Sequence, residues 1–273
     1  MIGVLDSGLG GLTFLKEFSE ALPNYSFVYL GDNARSPYGN KSQETIYKYT
    51  RQGVEFLFSK GCHLVIIACN TASTEALRKI QQELLPQKYP GKNVLGVVVP
   101  IAEGAMQTIN YDKKKNKIGI IGTRATIESA SYDQELKKLS PGVEIYKKAT
   151  PLLVPLIEEG WLKRRETKMI LRYYLRDLKV SKINTLILGC THYPVLQDTI
   201  QKIMGSNITV LDTPKVVSLR LHDYLSRHQE HDKQIKKKGE RIFYTTDDKK
   251  RFATIGERFY QEPIKEVKRI ELE

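Results

Sequence analysis

The sequence predicts an α/β protein in which a parallel sheet is covered by helices. Short apolar runs alternate with longer amphipathic stretches along almost the whole chain, the rhythm of repeated βαβ units. The hydrophobic share of 41% over 273 residues is enough to fill one large core or two smaller ones. Twice, moreover, an apolar run ends in a small residue, a cysteine and a polar cluster: "LVIIACNTAST" at 64–74 and "LILGCTHYPVL" at 186–196.

Taken in order, "IGVL" (2–5) is the first expected strand, followed by the turn "LDSGLGGLT" (5–13) and a helix. "FVYL" (27–30) leads into "GDNARSPYG" (31–39), nine loop-forming residues in which Pro37 and Gly39 fix turn geometry. Over 42–60, Ile46, Gly53, Val54, Leu57 and Phe58 share one face of a helix that Gly61 ends. Further strands are expected at "LVIIA" (64–68), "VLGVV" (94–98), "IGII" (118–121), "VEIY" (143–146), "TLILG" (185–189), "ITVL" (208–211) and "RIFYT" (241–245). Low-complexity segments and long linkers are absent.

Several function classes drop out. No apolar run approaches the ~20 residues that span a bilayer, and "MIGVLDS" has neither a basic region nor a cleavage site, so a soluble cytoplasmic protein is expected. Three cysteines without small-scaffold spacing point to free thiols in a reducing compartment. The net charge of +12 raises the question of nucleic acid. Its lysines and arginines are spread along the chain, however, and the dense runs "DKKKNK" (112–117) and "KQIKKKGER" (233–241) read as solvated loops. Specific nucleic-acid binding is not expected; a positive field still favours a small anionic substrate.

The motifs carry the chemistry. "LDSGLGGLT" half-matches a dinucleotide fingerprint, but Thr13 stands at the third glycine position, and Asp6 with Ser7 at the strand end would meet a pyrophosphate with a carboxylate. Asp6 suits a substrate ammonium better. In "GDNARSPYG", Asp32, Asn33, Arg35 and Tyr38 give the loop the content of a binding segment. Cys62 and His63 stand at the entry to a strand, whereas sites in parallel sheets lie at the carboxyl ends, so both read as packing. Cys69 and Cys190 are at the right ends, before small polar residues near helix starts that can stabilise a thiolate. Metal binding by Cys69, Cys190 and His192 stays open, but structural zinc wants four closely specified ligands and nothing resembles C-x-x-C, which weighs against both zinc and thioredoxin-like chemistry. Two thiols on either side of one carbon could instead remove a proton from one face and return a proton to the other. His192 could relay protons for Cys190, and Glu158 and Glu159 close an apolar segment before Gly160.

These motifs together resemble the glutamate racemase family of the cofactor-independent aspartate/glutamate racemase superfamily. The matches run in order through "GVLDSGLGG", "GDNARSPYG", "ACNTAS", "GVVVPIAEGA", "IGIIGTRATI", "PLLVPLIEEG" and "LILGCTHYPVL", with a looser match at "YTTDDKKRFATIGERFY". The resemblance implies two similar doubly wound α/β domains with mainly parallel sheets and an active site in the cleft between them. The division expected is 1–98 plus 208–273 for the unit carrying Cys69, and 99–207 for the unit carrying Cys190. It also implies that Cys69 deprotonates D-glutamate and Cys190 L-glutamate, assisted by Asp6, His192 and Glu158. Substrate contacts carried over by motif are Asp6, Ser7, Tyr38, Gly39, Asn70, Thr71, Thr191 and His192. Neither a cofactor nor a metal is implied; the partner is glutamate, for a D-glutamate supply to peptidoglycan, and a homodimer is left open. At Asn33 and Ser36 the chain departs from the family's usual residues, and no role is carried over there. Aspartate racemase is the nearest competing reading, and a non-catalytic basic protein the competitor from another class.

Overall fold

The computed structural model describes residues 1–108 and 116–273. Most of the basic run at 112–117 therefore lies outside the described residues, which resume before Lys117 opens a strand. Among the described residues ten strands are formed: β1 (Ile2–Asp6), β2 (Phe27–Gly31), β3 (Leu64–Ile67), β4 (Asn93–Gly96), β5 (Lys117–Gly122), β6 (Glu144–Ala149), β7 (Thr185–Gly189), β8 (Thr209–Val210), β9 (Arg241–Thr245) and β10 (Val267–Arg269). They make two sheets, ordered β10-β9-β2-β1-β3-β4 and β6-β5-β7-β8, and every pairing is parallel. The central strands β1, β2, β3 and β7 are buried along their whole length, which is why they read as unbroken apolar runs.

The two sheets are wound alike. In the first, the chain steps from β1 out to β2, then crosses to β3 on the other side of β1 and on to β4. In the second, β5, β6, β7 and β8 repeat those steps. Each sheet thus has a point where the winding reverses, between β1 and β3 and between β5 and β7, and a crevice opens there at the carboxyl ends. The strands after β8 extend only the first sheet.

The helices follow from the sequence pattern. Helix Gln43–Ser59 starts where Thr45 donates its N–H to Ser42 Oγ at 3.3 Å and buries Ile46, Thr50, Gly53, Val54, Leu57 and Phe58. Gly53 is required where this helix crosses β1, since a Cβ there would lie 2.7 Å from Leu5 Cδ1. The helix ends before Gly61, whose φ of +80° a side chain would resist. Truncating the fully buried Leu57 to alanine costs roughly 2–5 kcal/mol.

Three expectations need correction. The run "VLGVV" is not all strand: β4 ends at Gly96 and a helix, Val98–Gln107, begins two residues later, because the second half of the run is needed to cross to the next sheet. The strand expected at 208–211 is shortened to β8, which hydrogen-bonds to β7 in the second sheet, Thr209 opposite Thr185; the chain regains the first sheet at β9. And β10 was not anticipated. Among the described residues no helix is long and apolar enough to cross a membrane.

Candidate active site

Both cysteines stand at the winding reversals. Cys69 follows β3 by two residues and caps helix Asn70–Glu75, its sulfur receiving the Ala72 N–H at 3.5 Å and donating to Ser7 Oγ at 3.4 Å. Ser7 is the residue after β1, so the sulfur lies across the β1/β3 crevice. Cys190 directly follows β7, and Thr123, after β5, occupies the other lip of the second crevice. The carboxyl edges of the two sheets face each other, and Cys69 and Cys190 line one cavity of about 20 Å³ together with Ser7, Tyr38, Asn70, Thr71, Thr123, Thr191 and His192. That is room for about one water molecule. A chamber of about 300 Å³ adjoins it, sharing Ser36, Pro37, Gly39, Thr123 and Val154 and reaching out to Asp247, Asp248 and Arg251.

The electrostatics of the two sulfurs differ. Burial pushes the Cys69 thiol up to about 12, and the nearby Asp6 carboxyl adds to the effect. Asp6 is itself raised by complete burial, against the pull of His192 and of the Gly11 and Gly8 N–H groups. Its Oδ2 accepts from Gly8 N at 3.0 Å and its Oδ1 from Thr191 Oγ1 at 3.2 Å, so it ties the first strand end to the Cys190 loop. On the other side, His192 Nδ1 is 4.0 Å from Cys190 Sγ and Nε2 is 2.9 Å from Glu158 Oε1. Burial disfavours the imidazolium, but Cys190 and Glu158 outweigh it and raise His192 to about 10. Glu158 is lowered in turn, its own burial being overcome by the His192 bond. Cys69 is therefore held as a thiol, while the His192 imidazole lies beside Cys190.

Polar groups for a carboxylate surround the sulfurs. Tyr132 OH donates to Asn70 Oδ1 at 2.6 Å, which fixes the amide and leaves Asn70 Nδ2 buried without a partner in the cavity wall. Thr71 Oγ1 lies 2.9 Å from Thr123 Oγ1 and 3.1 Å from Thr126 Oγ1, a hydroxyl chain spanning the two sheets. Tyr38 donates its hydroxyl to the buried Asp32, which also accepts from Arg35 Nε at 2.7 Å and Thr246 Oγ1 at 2.9 Å. This anchors the 31–39 loop as one wall. The glycines have a packing use: a Cβ on Gly10 would lie 2.3 Å from Thr191 Oγ1, and one on Gly39 2.5 Å from Thr123 Cβ. "GLGG" lets the Cys190 loop approach the first unit, and Thr13, at the failed fingerprint position, donates to Gly10 O at 2.8 Å and Thr191 O at 3.2 Å.

The structure thus brings Cys69, Cys190, Ser7, Tyr38, Gly39, Asn70, Thr71, Thr191 and His192 to the cavity wall. Asp6 stands behind Thr191 and Glu158 behind His192; of the glutamate pair, Glu158 and not Glu159 makes that contact. Cys62 is buried at the amino end of β3, and His63 Nε2 lies 3.1 Å from His231 Nδ1, away from the cavity. Sequence reasoning missed Thr123, Thr126, Tyr132, Val154 and Ser36. Thr123 was within reach, since it follows a strand end in "IGIIGTRATI". Tyr132 was not, because its partner is 62 residues away. Among the described residues no group of three or more His, Cys, Asp or Glu side chains is placed to hold a metal ion.

Two parallel sheets that turn their winding reversals toward one cavity, each supplying a thiol, define a class: α/β proteins whose site lies where two doubly wound sheets meet. The chain belongs to the Asp/Glu/hydantoin racemase family, whose model matches residues 2–218. It is similar to the glutamate racemase of Aquifex aeolicus, 44% identical over 224 residues that cover 82% of this chain and 83% of that one. The glutamate racemase of Geobacter metallireducens is 37% identical over 272 residues, covering 100% and 97% of the two chains. Among solved structures, glutamate racemase from Francisella tularensis in complex with D-glutamate superposes with a TM-score of 0.87 at 34% identity, covering 99% of this chain and 97% of that one.

Proposed function

We infer that the protein is a glutamate racemase that interconverts L- and D-glutamate with its own two thiols as base and acid. The observation that carries the mechanism is the pair of strand-end sulfurs lining one cavity, with the buried Asp6 carboxyl near Cys69 and the His192 imidazole beside Cys190. In the L-to-D direction, the Cys190 thiolate takes the α-proton from one face and the Cys69 thiol gives its proton to the other. Cys190 is left as a thiol and Cys69 as a thiolate; the reverse direction exchanges the roles. An amino-acid α-proton is far less acidic than a thiol, so the carbanion-like state must be stabilised by hydrogen bonds that strengthen as charge moves onto the carboxylate. Asn70 Nδ2, Thr71, Thr123 and Thr191 are the donors suited to that work, and Ser7 lines the cavity on the side of the ammonium, with Asp6 behind Thr191.

The two sheets are proposed as the two units of the enzyme, with residues through β4 and from β9 onward in one and β5 to β8 in the other. The proposed setting is the cytoplasm, where thiols stay reduced, and the proposed use of the product is D-glutamate for peptidoglycan. Incubation with L-glutamate in D₂O tests the reading. The α-position should gain deuterium as optical rotation falls to zero, with the new D-enantiomer carrying solvent deuterium from its first appearance. Turnover of another amino acid with glutamate untouched would overturn it.

A further inference from the structure

The second unit carries a groove, away from the cleft, in which charge is concentrated. Residues 161–182 hold eight lysines and arginines against two carboxylates, a net +6 that is half of the whole chain's +12. On helix Arg165–Val180, Lys168, Arg172 and Arg176 recur every fourth residue and Lys179 joins their stripe. Helix Gln197–Met204 packs alongside and adds Lys202, and the two helices enclose a groove of about 980 Å³.

The groove is not a uniformly solvated face. Its lining includes Leu162, Leu175, Val180, Val195, Leu196 and Ile203 between the cations, and Asp198 is its one carboxylate. Among the described residues, Lys168, Arg172, Arg176 and Lys202 form no ion pair, while Lys179 Nζ turns to the Ile203 carbonyl at 2.6 Å. Like charges four apart on a helix repel one another. An apolar floor with an unneutralised cationic stripe along one wall is complementary to a single kind of surface, one with acidic groups at helical spacing beside an apolar face. Phosphate backbones match the charge but not the floor, since a strand of nucleic acid is held by stacking on aromatic rings and none lines this groove. A flat bilayer cannot follow a concave wall.

We propose that the groove between helices Arg165–Val180 and Gln197–Met204 is a docking site for an acidic amphipathic helix of a partner protein, seated apolar face down with its carboxylates against Lys168, Arg172 and Arg176. The groove backs onto the turn Tyr193–Leu196, which directly follows His192, so the occupant rests against the support of the catalytic loop.

The test uses the intact protein and a labelled synthetic peptide of about 16 residues, the ~24 Å span of the receiving helix, with glutamate every fourth position beside a leucine stripe. Anisotropy at low and at physiological salt should show it binding at least about tenfold tighter than a scrambled peptide of the same composition. The variant Lys168→Glu, Arg172→Glu, Arg176→Glu should lose that advantage while keeping its racemisation rate and circular dichroism. If that variant does not fold, Arg172→Gln with Arg176→Gln should weaken binding at least about threefold. Equal affinity for the scrambled peptide, tighter binding of a single-stranded oligonucleotide or of phosphatidylglycerol vesicles, or undiminished binding by the folded variants would overturn the proposal.

Discussion

At the scale of single residues, the relay Cys190–His192–Glu158 and the buried Cys69 lead to separable predictions. Cys69→Ser and Cys190→Ser should each abolish racemisation, because a hydroxyl is a far poorer base than a thiolate, while Cys62→Ser, remote from the cavity, should keep most activity. Iodoacetamide should label Cys69 slowly at neutral pH and faster as the pH is raised, as peptide mapping would show, since the thiolate is the reactive form and burial holds Cys69 up at about 12. His192 keeps its proton in the folded protein to about pH 10, but gives it up near 6.5 when unfolded. The resulting stabilisation is complete below pH ~6.5 and is lost as the pH rises through 10, which thermal unfolding across that window would register. Glu158→Gln removes a charge that favours the imidazolium, so the alkaline fall of kcat/KM should move to lower pH by about one unit or more. Tyr132→Phe frees the Asn70 amide to turn, and KM should rise roughly three- to tenfold with kcat little changed. The cysteines, His192 and Asp6 were legible in the sequence because their reactivity belongs to the residue type and their position to a strand end. Tyr132 and Thr126 were not, because a tyrosine or threonine is informative only through its partner.

Among elements, the strand ends matter more than the strands. Gly10 is where the loop after β1 meets the loop after β7, and Gly10→Ala would drive a methyl into Thr191 and His192. The protein should still fold, as judged by circular dichroism, but kcat/KM should fall roughly a hundredfold, the cost of shifting a catalytic group by about 1 Å. Buried strands could be read from the chain because both faces of a parallel sheet are covered and the run stays apolar. β10 escaped notice because "VKR" is a half-exposed edge strand with two charged residues of three. β8 was recognised as a strand, but so short a segment carries no record of which neighbour it pairs with. "VLGVV" failed for a related reason: a short apolar run does not say whether it continues as strand or turns into a buried helix.

For the whole molecule, the two sheets share one interior. A single buried cluster contains Val4 and Leu12 of the first unit, Ile101 and Ala105 of the crossing helix, and Ile120 and Leu188 of the second. Calorimetry should therefore show one unfolding transition, not two, and Ile120→Ala should lower that same transition. This continuity was beyond the reach of periodicity, which marks a position as buried without naming the core it joins. Charge was legible only as a total; the fold sets six lysines and arginines against one carboxylate along one groove, where the sequence reading saw dispersed solvated runs.

In the proposed two-thiol mechanism the enzyme keeps a memory of its last substrate. Each L-to-D event leaves the Cys69 side short of a proton and the Cys190 side with one too many, a form ready only for the D-enantiomer. Before a second L-glutamate can react, the free protein must pass a proton back between the two ends of the site, and a cavity that admits about one water offers a single short bridge for it. At low substrate this return is finished before the next encounter. At high substrate it becomes the slow step, and the empty enzyme itself turns into a reactant whose two protonic isomers interconvert no faster than that bridge allows.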